Sequence, residues 1–232
     1  MPDGVTSNDD VWVVIPVFNE HQVIAEVAEQ VRATFPNVVC VDDGSRDGSA
    51  EQIAGTGAHL VRHPINMGQG AALQTGLSYA RTRPGSRYFV TFDADGQHRV
   101  EDALALLEVA RSGAADVVLG TRFGAGTGRI PLLKRLVLRT IVALSPTARK
   151  LKLTDAHNGL RVLTRPVVDD LRITMNGMPH ASEIVSYLAR SSWRVREVPV
   201  TIRYTDYSRA KGQSLVNGVN ILFDLSIRQR GN

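Results

Sequence analysis

A chain of 232 residues with 43% apolar and 22% charged residues can bury one substantial core, which excludes an intrinsically disordered protein. A single cysteine, Cys40, excludes an intramolecular disulfide framework and fits a reducing cytoplasm. The formal net charge of +4 favours an anionic partner: a nucleotide diphosphate, a lipid phosphate, a membrane surface or a nucleic acid. Residues 1–10 are polar and turn-rich, without the basic start and apolar stretch of a secretory signal, so export is not expected, and no apolar run reaches the roughly 20 residues that span a bilayer. Residues 1–10 read as a flexible tail and residues 11–232 as one domain that does not cross a membrane.

Residues 11–17 are rich in Val and Ile and predict a strand. Phe18, Asn19 and Glu20 follow, and then Val23, Ile24, Val27 and Val31 at helical spacing. A second strand over 38–41 ends in Asp42, Asp43, Gly44, Ser45, Arg46, Asp47, Gly48 and Ser49, a dense set of turn and cap formers before a helix over 49–54. Residues 59–62 predict a third strand, and 66–79 a glycine-rich turn opening into a helix. A fourth strand over 88–92 runs into Asp93, Ala94, Asp95, Gly96, Gln97 and His98, with a helix over 103–110 behind it. A fifth strand is expected over 116–119.

Strands alternating with helices predict an α/β domain with a mostly parallel sheet covered on both faces. Ligands of such sheets sit at the carboxyl ends of the strands, so the clusters at 42–47 and 93–97 are expected in one crevice. The second half is less regular: a basic, apolar segment over 130–153, a loop over 155–159, a helix over 181–190 and a strand over 195–203.

Asp93, Asp95 and Gln97 alternate, and an extended backbone there would aim three oxygen-bearing side chains the same way, toward a hard cation such as Mg²⁺ or Mn²⁺. The alternative is a capped turn, since Asp95-Gly96 is a turn former. Of the second cluster, Asp47 reads as the cap of the following helix. Gly68 and Gly70 let a backbone approach phosphate or permit close packing; their spacing is neither a P-loop nor a dinucleotide fingerprint. His157, His98 and His180 read as structural histidines, and Glu183 as a helix carboxylate that either reaches the acceptor or faces solvent.

Ile15 to Glu20, Val41 to Ser45, Asn66 to Ala72 and Phe92 to His98 occur in the order seen in family 2 glycosyltransferases, which the sequence resembles over nearly its whole length. Gly120 to Phe123, Asp155 to Arg161 and Glu197 to Val200 extend the likeness toward dolichyl- and undecaprenyl-phosphate sugar transferases. The resemblance implies a GT-A, Rossmann-like single domain. It also implies an inverting, metal-dependent transfer from a UDP- or GDP-sugar to a polyprenyl phosphate. Transfer to a saccharide hydroxyl is the alternative, and a non-catalytic nucleotide-sugar or nucleic-acid binding protein a further one; no nucleic acid is expected as partner. Pro16, Asn19, Glu20, Asp43, Gly68, Asp93 and Ala94 would then line the nucleotide pocket, and Asp93, Asp95 and Gln97 would hold Mg²⁺ or Mn²⁺. By the resemblance Arg122, Arg203 and Lys211 would address an acceptor phosphate, and Arg129 and Lys134 are further cations that could position it. Asp155, Asp95 and Arg122 would be catalytic, with Asp155 the base if the acceptor is a hydroxyl.

Residues 204–214 resemble that family's mobile basic loop. Leu215, Val216, Val219, Leu222, Phe223 and Ile227 have near-helical spacing, which suits the protein's own core or an anionic membrane. A cytoplasmic protein peripheral to the inner face of the cell membrane, a membrane-protein partner and a homodimer all fit this reading.

Overall fold

Strand β1 (Val11–Val17) is buried along its full length, as a central strand covered on both faces must be. Its side chains alternate: Val11, Val13, Ile15 and Val17 join one apolar cluster, Trp12 and Val14 another. The first cluster takes in helices α1 (Ile24–Arg32), α2 (Ser49–Gly55) and α4 (Val100–Arg111). The second takes in α3 (Gln69–Arg81), α5 (Pro146–Lys150), α6 (Arg165–Asp170) and α7 (His180–Arg190). The computed structural model describes residues 7–124, 140, 145–203 and 207.

The remaining strands are β2 (Asn37–Asp42), β3 (His59–Arg62), β4 (Tyr88–Thr91), β5 (Val117–Thr121), β6 (Arg161–Thr164) and β7 (Val195–Pro199). They form one seven-stranded sheet in the order β3-β2-β1-β4-β6-β5-β7. β1 pairs in parallel with β2 and β4, β2 with β3, and β5 with β7; β6 is antiparallel to both β4 and β5. β6 therefore runs against the other six, and its Arg161 lies opposite Thr91 on one side and Leu119 on the other.

This strand is the main departure from the sequence reading, which ended its loop at residue 159 and expected nothing regular before 181. β6 is only four residues long and begins with a charged side chain, so it carries no hydrophobic period long enough to detect. Its insertion matters for the site, because the loop entering it is laid against the carboxyl end of β4: Thr91 Oγ1 donates to the carbonyl of Gly159 at 2.6 Å. Residues 7–10, inside the expected tail, are tied to the domain by the pair between Arg111 and Asp10 at 2.6 Å and by Asn8 Nδ2 donating to Thr34 O. Among the described residues, no helix is long and apolar enough to cross a membrane.

Candidate active site

The carboxyl ends of β1, β2 and β4 adjoin in the sheet, so the three loops leaving them meet. Asn19 takes a positive φ of 54° as the chain leaves β1. Its N–H donates to Ser45 Oγ, and its Oδ1 accepts from the Arg46 N–H at 3.1 Å. The Glu20 N–H donates to Ser49 Oγ, the Glu20 side chain is buried, and its Oε2 accepts from Tyr207 at 2.6 Å. Pro16 is buried within β1 opposite Val41. The loops after β1 and β2 thus knit together, and Tyr207, which sequence reasoning did not single out, reaches Glu20 in the same crevice.

Asp47 caps α2 as expected: one oxygen accepts from the Ser49 N–H and hydroxyl and the other from the His21 N–H. Burial is the largest single influence and would raise the Asp47 carboxyl, but the bonds from Ser49 and His21 together outweigh burial, and the carboxyl falls to about 2. Asp43 is 2% exposed and turns toward a neighbouring loop. Its carboxylate accepts from the Met67 N–H at 2.9 Å, the Gly68 N–H at 2.7 Å and the His63 ring at 2.7 Å. Gly68 has φ of 98°, and a Cβ there would stand 2.3 Å from Asn176 O. A Cβ on Gly70 would stand 2.0 Å from Met175 O. Both glycines therefore let the 65–70 loop close on residues 175–176, and packing is the role visible for them.

Residues 93–97 are not extended. Asp95 Oδ1 accepts from the Gln97 N–H and its Oδ2 from the Gln97 side-chain amide, while Gly96 takes φ of 72°. The short carboxylate captures the backbone two residues on and folds the segment into a turn, overriding the alternation read from sequence. The Ala94 side chain is buried in the core. Asp93 faces β6, its oxygens accepting from His98 Nε2 at 2.9 Å and Gln69 Nε2 at 3.3 Å. Gly159 abuts it so closely that a Cβ would lie 2.1 Å from Asp93 Oδ2.

The two carboxylates of this turn differ. Burial would raise Asp93, but the hydrogen bond and charge of His98, with Arg161 and His180 beyond, hold it below its ordinary value. Burial, then repulsion from Asp93, pushes Asp95 up to about 6. Among the described residues, no group of three or more His, Cys, Asp or Glu side chains is arranged to hold a metal. Two repelling carboxylates are nevertheless a set that a hard divalent cation would relieve, with other oxygens completing its shell, as Mg²⁺ takes few protein ligands. The residues fit such an ion. His157 and His180 are lowered to about 4, first by burial, and bond to Ser182 Oγ and Gly177 O respectively.

Across β6, Asp155 and Arg122 hold each other. Arg122 donates from Nε and Nη2 to the two Asp155 oxygens at 2.5 and 2.6 Å, and its backbone N–H adds a third bond. Burial would raise Asp155, yet the Arg122 bonds and charge keep its carboxyl below the ordinary range. Such a carboxylate is a weak proton acceptor, and in this geometry it orients the Arg122 guanidinium. Glu197 supports the pair from β7, accepting from the Thr154 N–H, the Thr154 hydroxyl and the Asp155 N–H. Glu183 is occupied with Thr174 and the Met175 N–H. Arg203 is exposed, and its N–H donates to Gln97 O at 2.9 Å, which brings the chain after β7 beside the Asp95 turn. Arg129, Lys134 and Lys211 lie outside the described residues, as does the apolar stretch after residue 214.

The description "Glycosyl transferase family 2" matches residues 12–172. The chain is 25% identical over 243 residues to a UDP-N-acetylglucosamine–dolichyl-phosphate N-acetylglucosaminyltransferase of Methanococcus voltae, covering 95% of this chain and 96% of that protein. It is 29% identical over 233 residues to a polyprenol monophosphomannose synthase of Mycolicibacterium smegmatis, covering 95% and 86%. Among solved structures, glucosyl-3-phosphoglycerate synthase of Mycobacterium tuberculosis, in complex with Mg²⁺ and uridine diphosphate, superimposes with a TM-score of 0.71 at 17% identity over 95% of this chain and 79% of that one. That likeness establishes a GT-A fold.

Proposed function

The chain belongs to glycosyl transferase family 2, and on that premise we propose that it moves a sugar from a UDP- or GDP-sugar to a polyprenyl phosphate, with inversion at the anomeric carbon. The observation that carries the choice of acceptor is the engagement of Asp155 with Arg122. A hydroxyl acceptor needs a base, and the carboxylate nominated for that task is held by an arginine. A phosphate acceptor is already anionic near neutral pH and needs a positioned cation instead, a role for Arg122, which Asp155 holds while Glu197 fixes the Asp155 backbone. Relatives named as a dolichyl-phosphate N-acetylglucosaminyltransferase and a polyprenol monophosphomannose synthase support the same acceptor.

On this reading Asn19 and Glu20 border the donor crevice, and Phe18, 43% exposed at the end of β1, offers the base an aromatic face. Asp93 and Asp95 would hold Mg²⁺ or Mn²⁺, with Gln97 fixing the Asp95 carboxylate. When bound, such an ion neutralises charge on the departing nucleotide diphosphate. His98 and Gln69 keep Asp93 oriented, and Arg122 and Arg203 attract the incoming phosphate. A lipid-borne acceptor calls for the crevice to work at a membrane surface, at its cytoplasmic face where nucleotide sugars are found.

The test is transfer from a panel of UDP- and GDP-sugars to undecaprenyl phosphate with Mg²⁺ or Mn²⁺ and an EDTA control. Metal-dependent glycolipid is the expected product. Donor hydrolysis with transfer only to added saccharide would replace the lipid reading with the hydroxyl one.

A further inference from the structure

His63 follows β3 and belongs to no motif singled out in the sequence, yet its side chain is only 8% exposed and lies between two polar groups. Its Nδ1 stands 2.7 Å from Asp43 Oδ1, and its Nε2 stands 3.0 Å from Thr75 Oγ1 on α3. A carboxylate only accepts, so in the neutral ring Nδ1 carries the proton and Nε2 accepts from the Thr75 hydroxyl. The order Thr, His, Asp has the form of a nucleophilic triad. Here, however, the aspartate is already bound by two amides and the imidazole is enclosed, so the chain of bonds transmits position rather than activating an alcohol.

What it positions is the 65–69 loop. Asp43 clamps that loop through the Met67 and Gly68 N–H groups. Gly44, with φ of 73°, lets the two backbones approach until a Cβ would stand 2.5 Å from Ile65 C and 2.6 Å from Asn66 N. The next residue, Gln69, reaches Asp93 at 3.3 Å, and the Gly70 N–H donates to Asn176 O at 2.7 Å. One loop therefore joins the β2 end, the Asp93 turn and residues 175–176, and Asp43 is the side chain that holds its backbone, through two amides. An aspartate with a single flexible χ2 rotor holds two amides at fixed angles only if its plane is fixed as well.

We propose that His63, backed by Thr75, is a positioning residue of the donor site: it fixes the plane of Asp43, and through Asp43 the loop that borders the nucleotide. The proposal rests on the donor-site reading above. Losing His63 leaves Asp43 short of a charge-assisted bond and lets the loop relax, so donor affinity suffers before the chemical step does.

The experiment is calorimetric binding of UDP and GDP, each with Mn²⁺, to the wild type and to His63→Ala, His63→Asn and Thr75→Val, paired with thermal melts and donor KM and kcat. Asparagine returns an N–H donor near the Nδ1 position. The expected result is affinity weakened by roughly tenfold in His63→Ala with kcat within about threefold, recovery to within about threefold in His63→Asn, and an intermediate Thr75→Val. Wild-type affinity in His63→Ala overturns the proposal. So does equal loss in the Ala and Asn variants that follows their melting temperatures, because a purely structural histidine would behave that way. A wild type that binds neither nucleotide overturns the donor-site reading, and this proposal with it.

Discussion

Replacing Asp155 by Asn keeps its shape and removes its charge, and the structure sets the scale of the consequence. The Asp155 side chain is 1% exposed and that of Arg122 is 15%, so the pair is largely out of water. Removing one partner of such a pair costs about 3–5 kcal/mol, because the remaining charge is stranded. At about 2–4 °C per kcal/mol for a domain of this size, Asp155→Asn should melt about 6–20 °C below the wild type. Arg122→Met should show a similar loss. The double variant should lose much less than the sum, with a coupling of at least about 2 kcal/mol in a thermodynamic cycle.

The effect has a pH signature. The folded-state carboxyl of Asp155 is depressed, so the folded protein binds fewer protons there than the unfolded chain. The stabilisation is fully present above the unfolded value of about 3.9 and drains away as pH falls through the folded one. Melts of wild type and Asp155→Asn should differ by a constant amount between pH 5 and 8, a range set well above about 3.9, and converge in stronger acid. Additivity of the single variants within about 0.5 kcal/mol would show that the two side chains do not work as a unit and would remove the argument for a phosphate acceptor.

Gly159→Ala drives a methyl group to within 2.1 Å of Asp93 Oδ2 and should cut transfer more than about tenfold for a stability cost of about 1–3 kcal/mol, read by activity beside urea melts. Asp95, raised to about 6, binds its proton more tightly folded than unfolded. Cation-free stability should therefore fall as pH rises from about 4 to about 6, flatten in Asp95→Asn, and be restored by Mn²⁺, as melts across that range would show. Glu197→Gln presents an amide N–H₂ group to backbone donors at Thr154 and Asp155, and should destabilise by about 1–3 kcal/mol while lowering transfer, measured by denaturant midpoint and turnover.

Much of the fold was legible because its signals are local and repeated. The strand over 11–17 and the helix ending at Arg190 carry uninterrupted patterns, and the acidic clusters follow strands whose parallel order brings them together. β6 was not legible: four residues beginning with Arg161 hold a place in the sheet through neighbours distant in sequence. The site was legible in composition more than in arrangement. Asp93, Asp95 and Asp43 are at the expected edge, but the turn at Asp95 replaces an extended segment because a carboxylate competes with the strand for its own backbone. The pairing of Asp155 with Arg122 joins positions 33 residues apart, and the Thr75–His63–Asp43 chain spans three elements; no spacing rule encodes either. His63 left one signal, a polar ring directly after a strand and beside the glycine loop, and that pattern is common to many histidines.

The most direct test of the central claim is a comparison of two acceptors that differ only in the phosphate. The enzyme, with the donor it prefers and Mn²⁺, is offered a polyprenyl phosphate or the corresponding free polyprenol, and the labelled lipid is measured. The account predicts product from the phosphate alone, and loss of that product in Arg122→Met. Equal transfer to the free alcohol would mean that a base is at work and that the Asp155–Arg122 pair does not select the acceptor.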